Sequence, residues 1–326
     1  MRVCFVVNSP RTQKPTYTTL HLAFSAHRRG HDVALASVDA FSQGEGPDLV
    51  AEVVRPKPGR LRDAATYARA LTAADAPRED ARLVDFDVIF LRNNPSAGAA
   101  EGDPFNPALD FGRRLKQLGV LVVNDPDGLS RAGSKMYLAG FPVEIRPKTL
   151  VTRSVERVRA FLRELDGPAI IKPLAGFGGQ NVFYVARGQS ANLQQIVSTV
   201  RRAGYVIAQE YLPAVAAYKR MRPKDDIRNN MHVGGSRKPT DFSDAEQRIC
   251  DLLRPRLVAD GLYFVGVDLA GDKILEINVF APGGVANINA LYDIDVGTAV
   301  IRDLERKVEL RGVYREPIPP HVFMRA

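Results

Sequence analysis

Short apolar runs alternate with stretches of helical periodicity along the first third of the chain: Val3 to Val7, Thr19 to Arg29, Asp32 to Ala36, Asp87 to Leu91, Phe111 to Leu118 and Val120 to Val123. Strands separated by helices pair through crossovers, so this alternation implies βαβ units and a mainly parallel sheet. Arg28-Arg29-Gly30-His31 supplies a basic last turn and a glycine stop for the first helix. Glu45 to Arg60, rich in Gly and Pro, reads as a surface excursion.

The texture changes after Asn124-Asp125-Pro126-Asp127-Gly128, which sets a domain boundary near Asn124. Residues 1–124 read as a parallel α/β domain and 125–326 as a second domain. In the second, strand Lys148 to Thr152 leads to helix Ser154 to Leu165, with Ser154 placed as an N-cap. Strand Ala169 to Lys172, a glycine loop, strand Asn181 to Val185, helix Ala191 to Ala203 and strand Tyr205 to Glu210 follow. Helix Ser243 to Ala259 precedes strands Tyr263 to Leu269 and Ile274 to Val279, and helix Val296 to Val308 closes the order.

A chain of 326 residues can bury one or two full cores, and its 45% hydrophobic and 25% charged content is that of a globular protein. Its apolar runs fall short of the roughly 20 residues a membrane helix needs. The start carries no signal-type cleavage site, and two cysteines, Cys4 and Cys250, are too few for a disulfide framework. A cytoplasmic protein without membrane partners is expected. The net charge of +8 is spread along the chain, with crowding at Arg201 and Arg202 and again from Lys219 to Arg228. No aromatic-interleaved strand accompanies it, so the expected partners are anionic small molecules rather than nucleic acid.

Four segments carry chemistry. Ile170 to Val182 is a buried strand ending in Lys172, then a glycine-rich turn through Gly176, Gly178 and Gly179, then another strand. Glycines let backbone N–H groups approach phosphate oxygens and a strand-end lysine adds a point charge, although an ordinary glycine hairpin has the same look. Tyr263 to Val279 reads as a hairpin in which Glu276 and Asn278 share a face. If Gly271-Asp272-Lys273 is a three-residue loop, Asp268 lies opposite Glu276, and two carboxylates with an amide oxygen suit a hard cation; a half-solvated hairpin is the other reading. Gln209-Glu210-Tyr211-Leu212-Pro213 is a strand edge that could face a purine or simply end a strand. Arg220 with Arg228-Asn229-Asn230-Met231-His232-Val233-Gly234-Gly235 joins arginines, which bind phosphate or carboxylate as a fork, to amides and paired glycines.

In this order, together with Leu91-Arg92-Asn93-Asn94-Pro95, Val123-Asn124-Asp125-Pro126, Ser134-Lys135-Met136-Tyr137 and Phe141-Pro142, these motifs resemble the ATP-grasp superfamily and, within it, the bacterial glutathione synthetases. The resemblance covers nearly the whole chain. It implies an α/β (α+β ATP-grasp) fold, with an N-terminal parallel α/β domain followed by a two-lobed ATP-grasp domain. It further implies ATP and Mg²⁺, with Mn²⁺ as a substitute, small-molecule substrates and a homo-oligomer.

Carried over residue by residue, it implies that Lys135 and Lys172 contact the nucleotide phosphates under a loop through Gly176, Gly178 and Gly179. Gln209, Glu210 and Leu212 would line the adenine site. Asp268, Glu276 and Asn278 would hold the metal, and Arg228, Asn230, Gly234 and Gly235 would face substrate and phosphate. Arg92 and Arg220 would serve the substrate. The implied activity is ATP-dependent joining of γ-glutamylcysteine and glycine through an acyl phosphate; the same fold could serve another peptide-like acid, or a nucleotide-binding homologue with impaired ligase activity.

The chain departs from the family pattern at Ala175, at Phe280-Ala281-Pro282-Gly283-Gly284, and after Pro213, where a Gly-Asp-x-Arg strand is missing. Removing a central strand would strip its neighbours of backbone partners, so a break in Cα spacing is expected within Pro213 to Ala217.

Overall fold

The computed structural model of the chain describes residues 1–46, 48–95, 106–174, 181–189, 192–202, 204–212, 218–221, 236–239, 243–314 and 319–325. Pro213 to Ala217, where a break in spacing is expected, lies outside them.

Two compact units form. The first comprises Met1–Arg131 and recruits Arg256–Gly266 and Asn278–Ala326 from later in the chain; the second comprises Ala132–Pro255 and Val267–Ile277. Beyond Arg131 the division is therefore not a single cut in the sequence.

The first unit begins with β1 (Arg2–Val7), α1 (Thr18–Arg28), β2 (Asp32–Gln43), β3 (Leu49–Val54), α2 (Ala64–Thr72), β4 (Arg78–Arg82), β5 (Val88–Leu91), α3 (Pro107–Gln117), β6 (Leu121–Val123) and α4 (Pro126–Ala132). Six strands form one sheet in the order β4-β3-β2-β1-β5-β6. The pairs β1–β2, β1–β5 and β5–β6 are parallel, as the alternation predicts.

The edge corrects the sequence reading. Part of the stretch Glu45 to Arg60 is not an excursion but β3, antiparallel to both β2 and β4. Leu49-Val50-Ala51-Glu52-Val53-Val54 is rich in β-branched residues, and its Gly and Pro neighbours mark the turns that bound the strand rather than a loop through it.

The second unit contributes β7 (Thr149–Thr152), α5 (Val155–Glu164), β8 (Ala169–Pro173), β9 (Phe183–Val185), α6 (Leu193–Arg201), β10 (Val206–Glu210), β11 (Tyr218–Met221), β12 (Ser236–Pro239) and most of α7 (Asp244–Ala259). The hydroxyl of Ser154 caps α5 by accepting from the Arg157 amide at 3.2 Å, the role its position predicts. The sheet order is β7-β10-β8-β9, with every described pair antiparallel. One face of this sheet is apolar. Ile171, Val206 and Ala208 pack there with Val155 and Val158 of α5 and Leu193, Val197 and Val200 of α6.

A hairpin of β13 (Gly266–Ala270) and β14 (Lys273–Asn278) follows. The chain then returns to the first unit through α8 (Val285–Tyr292), α9 (Val296–Val313) and α10 (Pro320–Arg325). Ile301, Leu304 and Phe323 from these last helices complete the core under Phe5, Leu20, Leu22 and Phe90. Among the described residues, no helix is long and apolar enough to cross a membrane.

Candidate active site

Strand alternation decides what the second sheet offers. Because Ile171 faces the helices, its neighbours Ile170 and Lys172 face the other way. On the adjoining strand Lys172 lies across from Ile207, and Ile170 lies across from Gln209. Lys172 and Gln209 therefore share the face opposite those helices. Gln209 is buried, with 4% of its surface exposed.

Lys135 opens a 3-10 helix (Lys135–Gly140) capped by Ser134, and its Nζ donates to the Leu174 carbonyl at 3.4 Å, just beyond the end of β8. Burial lowers the Lys135 ammonium, with Glu276 opposing the shift. Burial also pushes Lys172 down to about 8, while Glu276 pulls it partway back and Lys135 adds to the depression. Lys135, Lys172 and Glu276 thus occupy one electrostatic neighbourhood. No carboxylate of the described residues lies within ion-pair distance of Lys172. A desolvated ammonium without such a partner is a suitable counterion for a polyphosphate.

At the far end of β10, Glu210 is tied to its neighbour strand: its Oε1 accepts from the Lys148 amide at 2.8 Å and its own amide donates to the Lys148 carbonyl at 3.0 Å. Tyr211 and Leu212 continue from there half-buried, and Tyr211 meets the ring of Tyr184 on β9 edge to face at 5.1 Å. Tyr184 is an aromatic wall that the motifs do not single out, because it follows the glycine loop as one residue of an unremarkable strand.

The hairpin corrects a second expectation. Its turn is two residues, Gly271 and Asp272, not three. Gly271 takes φ +57°, in the left-handed region, which suits the first corner of such a tight turn. The pairing of Asp268 with Glu276 argued from a longer loop therefore loses its premise, although both carboxylates still project from the strands of one hairpin. Glu276 is exposed, Asp268 is half-buried, and Asn278 follows Glu276 on the same face of β14. Among the described residues no three His, Cys, Asp or Glu side chains gather as a metal cage. A Mg²⁺ ion that keeps waters and substrate phosphates requires only one or two carboxylates, and Glu276 with Asn278 on one face of β14 fits that requirement in kind.

In the first unit, Arg92 follows β5. Its guanidinium is buried, with 5% of the residue exposed, and burial lowers it to about 9. Nη2 donates to the Pro282 carbonyl at 2.8 Å and Nε to the Thr19 hydroxyl at 3.3 Å, while Nη1 has no hydrogen-bond partner among the described residues. The group lies over the rings of Phe90 and Phe264, 5.8 and 5.4 Å from their centroids. Of the remaining sequence candidates, Arg220 lies on β11, and Gly176, Gly178, Gly179, Arg228, Asn230, Gly234 and Gly235 lie outside the described residues.

The chain matches the family model of the prokaryotic glutathione synthetase N-terminal domain over residues 1–130, and that of the ATP-grasp domain of the same enzymes over residues 134–221 and 214–293. It is 33% identical over 249 residues to the glutathione synthetase of Vibrio cholerae, covering 70% of this chain and 75% of that one. It is 31% identical over 335 residues to the glutathione synthetase of Synechococcus elongatus, covering 94% and 99%. Among solved structures it shares its fold with the ATP-grasp ligase PsnB in complex with a phosphomimetic precursor variant, Mg and ADP, at a TM-score of 0.60 and 17% identity over 94% of this chain and 98% of that one. The macrocyclase MdnC from Microcystis aeruginosa, bound to its precursor peptide, gives a TM-score of 0.60 at 15% identity, covering 94% and 100%. With both domain families matched in order, the chain belongs to the prokaryotic glutathione synthetases, ATP-dependent ligases that form a C–N bond on an ATP-grasp fold.

Proposed function

We propose that the chain joins γ-glutamylcysteine to glycine in the cytoplasm, as a homo-oligomer, at the expense of ATP. An oxygen of the peptide carboxylate attacks the γ-phosphorus of ATP and ADP leaves. The glycine amine then attacks the acyl carbon, loses a proton, and phosphate departs as the C–O bond breaks. Carboxylate and amine do not condense unaided at neutral pH, so the protein's contribution is to hold the reactants and neutralise charge.

Lys135 and Lys172 bind the phosphates, with the Gly176, Gly178 and Gly179 backbone above them, and Gln209, Glu210 and Leu212 receive the adenine. Asp268, Glu276 and Asn278 hold Mg²⁺, or Mn²⁺ in its place. When bound, the cation offsets the negative charge of the transferring phosphoryl oxygens. Arg228, Asn230, Gly234 and Gly235 face the phosphoryl group, and Arg92 and Arg220 serve the peptide. Residues 1–124 are assigned as the N-terminal domain and 125–326 as the ATP-grasp domain.

The observation that carries this reading is Lys172, buried on the sheet face opposite the two helices and within electrostatic reach of Lys135 and Glu276. Mass spectrometry of the products formed from ATP, γ-glutamylcysteine and glycine tests it. Glutathione as the dominant product is expected. A product formed only when γ-glutamylcysteine is replaced by another peptide-like acid would move the assignment to that acid, which the altered Phe280 to Gly284 segment would accommodate.

A further inference from the structure

Tyr184 is a side chain to which the reaction scheme gives no task. Strand pairing fixes its place. On β8, Ile170 lies across from Gln209 on one side and from Tyr184 on the other, and Gln209 in turn lies across from Thr149 on β7. Residues directly opposite one another project from the same side of a sheet, so Thr149, Gln209, Ile170 and Tyr184 form one row across all four strands. Phe183, the residue before Tyr184, packs into the core formed with α5 and α6, which puts Tyr184 on the face that carries Lys172. All of these residues belong to the second unit.

The row is uncharged. It offers a buried amide at Gln209, a half-buried aliphatic surface at Ile170 and, at Tyr184, a ring that is 40% exposed. That ring meets Tyr211 edge to face, with 5.1 Å between centroids and 89° between planes, and the Tyr211 amide is anchored by donating to the Pro168 carbonyl at 2.9 Å. Two tyrosines, from β9 and from just beyond β10, thus make an aromatic corner at one end of the row. Lys172 stands two residues further along β8, roughly 7 Å from Ile170. The face therefore has a cationic end and, one step away, an uncharged end built from an amide, an aliphatic side chain and an aromatic plane. A planar heteroaromatic base with polar edges and apolar faces matches the second end as a polyphosphate matches the first.

We propose that Tyr184 is a base-binding residue, presenting its ring to the purine of the nucleotide and forming with Tyr211 the wall against which the base packs. This rests on the assignment of the phosphates to Lys172 and of the adenine to Gln209, Glu210 and Leu212, and adds the aromatic contact that those three side chains lack. Stacking depends on the ring and not on its hydroxyl, so phenylalanine preserves it and alanine removes it.

The test is ADP binding by titration calorimetry in the presence of Mg²⁺, for wild type, Tyr184→Ala, Tyr184→Phe and Lys172→Met, with thermal melts alongside. Nitration of Tyr184 by tetranitromethane, mapped by mass spectrometry, is followed in the wild type. Tyr184→Ala should weaken ADP binding about fivefold to a hundredfold at an unchanged Tm, the range that base–aromatic stacking covers, and Tyr184→Phe should stay within about twofold of wild type. ADP should protect Tyr184 from nitration and leave Tyr314, exposed in the first unit, as reactive as before. Unchanged ADP affinity in Tyr184→Ala would overturn the proposal, as would nitration of Tyr184 that ADP does not slow. Equal weakening in Tyr184→Phe would assign the effect to the hydroxyl, and a Tm that falls along with ADP affinity would make Tyr184 a support of the sheet; either overturns it too. A wild-type chain that does not bind ADP, or a Lys172→Met variant that binds it as tightly as wild type, would overturn the nucleotide site itself, a result distinct from tight binding that depends on Lys172 and ignores Tyr184.

Discussion

Lys172 and Gln209 face the same side of the four-stranded sheet from neighbouring antiparallel strands, Lys172 across from Ile207 and Gln209 across from Ile170. The opposite side is sealed by two helices. A cation and an amide are thereby presented together on the face opposite those helices, as a nucleotide with a phosphate end and a base end requires.

Replacing Lys172 by Met should weaken ATP binding by tenfold to a hundredfold, the effect of removing a charge-assisted hydrogen bond worth about 1.5–3 kcal/mol. Stability should not fall. A lysine whose folded value near 8 lies below its ordinary 10.5 carries a cost in its protonated form, fully present below about pH 8 and relieved as the pH rises towards 10.5. Titration calorimetry with ATP and a thermal melt at pH 7 check both. Unchanged affinity with a lowered Tm would assign Lys172 a structural role.

The same depression predicts proton uptake. At pH 8.5 the free protein holds Lys172 mostly neutral, and bound phosphates favour its protonated form, so a fraction of a proton should enter with each nucleotide. Binding enthalpies compared in buffers of different ionisation heat measure it. The uptake should vanish in Lys172→Met.

Glu276→Gln should leave the fold intact, because the side chain is exposed, and should lower metal-dependent turnover at least tenfold by removing an anionic ligand. It also removes the charge that raises Lys172 and Lys135, so nucleotide affinity should decline faster with rising pH than in wild type. Wild-type turnover at limiting Mg²⁺ would remove Glu276 from the cation site.

The loss of stability in acid has a specific source in the first unit. Hydrogen bonds from Arg29, at 2.7 and 2.6 Å, hold the Glu305 carboxyl down near 2 against the effect of burial, with His31 at 2.5 Å adding to the pull. This contribution is present in full above pH 4.5 and is lost as the pH falls through 2. Glu305→Gln should lower stability at pH 7 by about 2 kcal/mol and flatten its decline in acid, measured by urea unfolding across pH.

The order of strands and helices was legible because each segment states its own period, and Ser154 announces its helix by position alone. β3 was not, since Gly and Pro around Leu49 to Val54 mask a run whose partners, β2 and β4, are fixed by tertiary pairing. Lys172 and Glu276 were legible as residue types in a pattern, but that they influence one another depends on elements a hundred residues apart. The hairpin turn is one residue shorter than expected, because Gly271-Asp272-Lys273 permits two loop lengths and only the strand ends at Ala270 and Lys273 distinguish them.

Phosphate release from ATP measured with both substrates, with each alone and with neither tests the central claim most directly. The account predicts rapid release only when γ-glutamylcysteine and glycine are present together with Mg²⁺, with one ADP and one phosphate formed per peptide bond. Release that is independent of both substrates, or none under any combination, would contradict it.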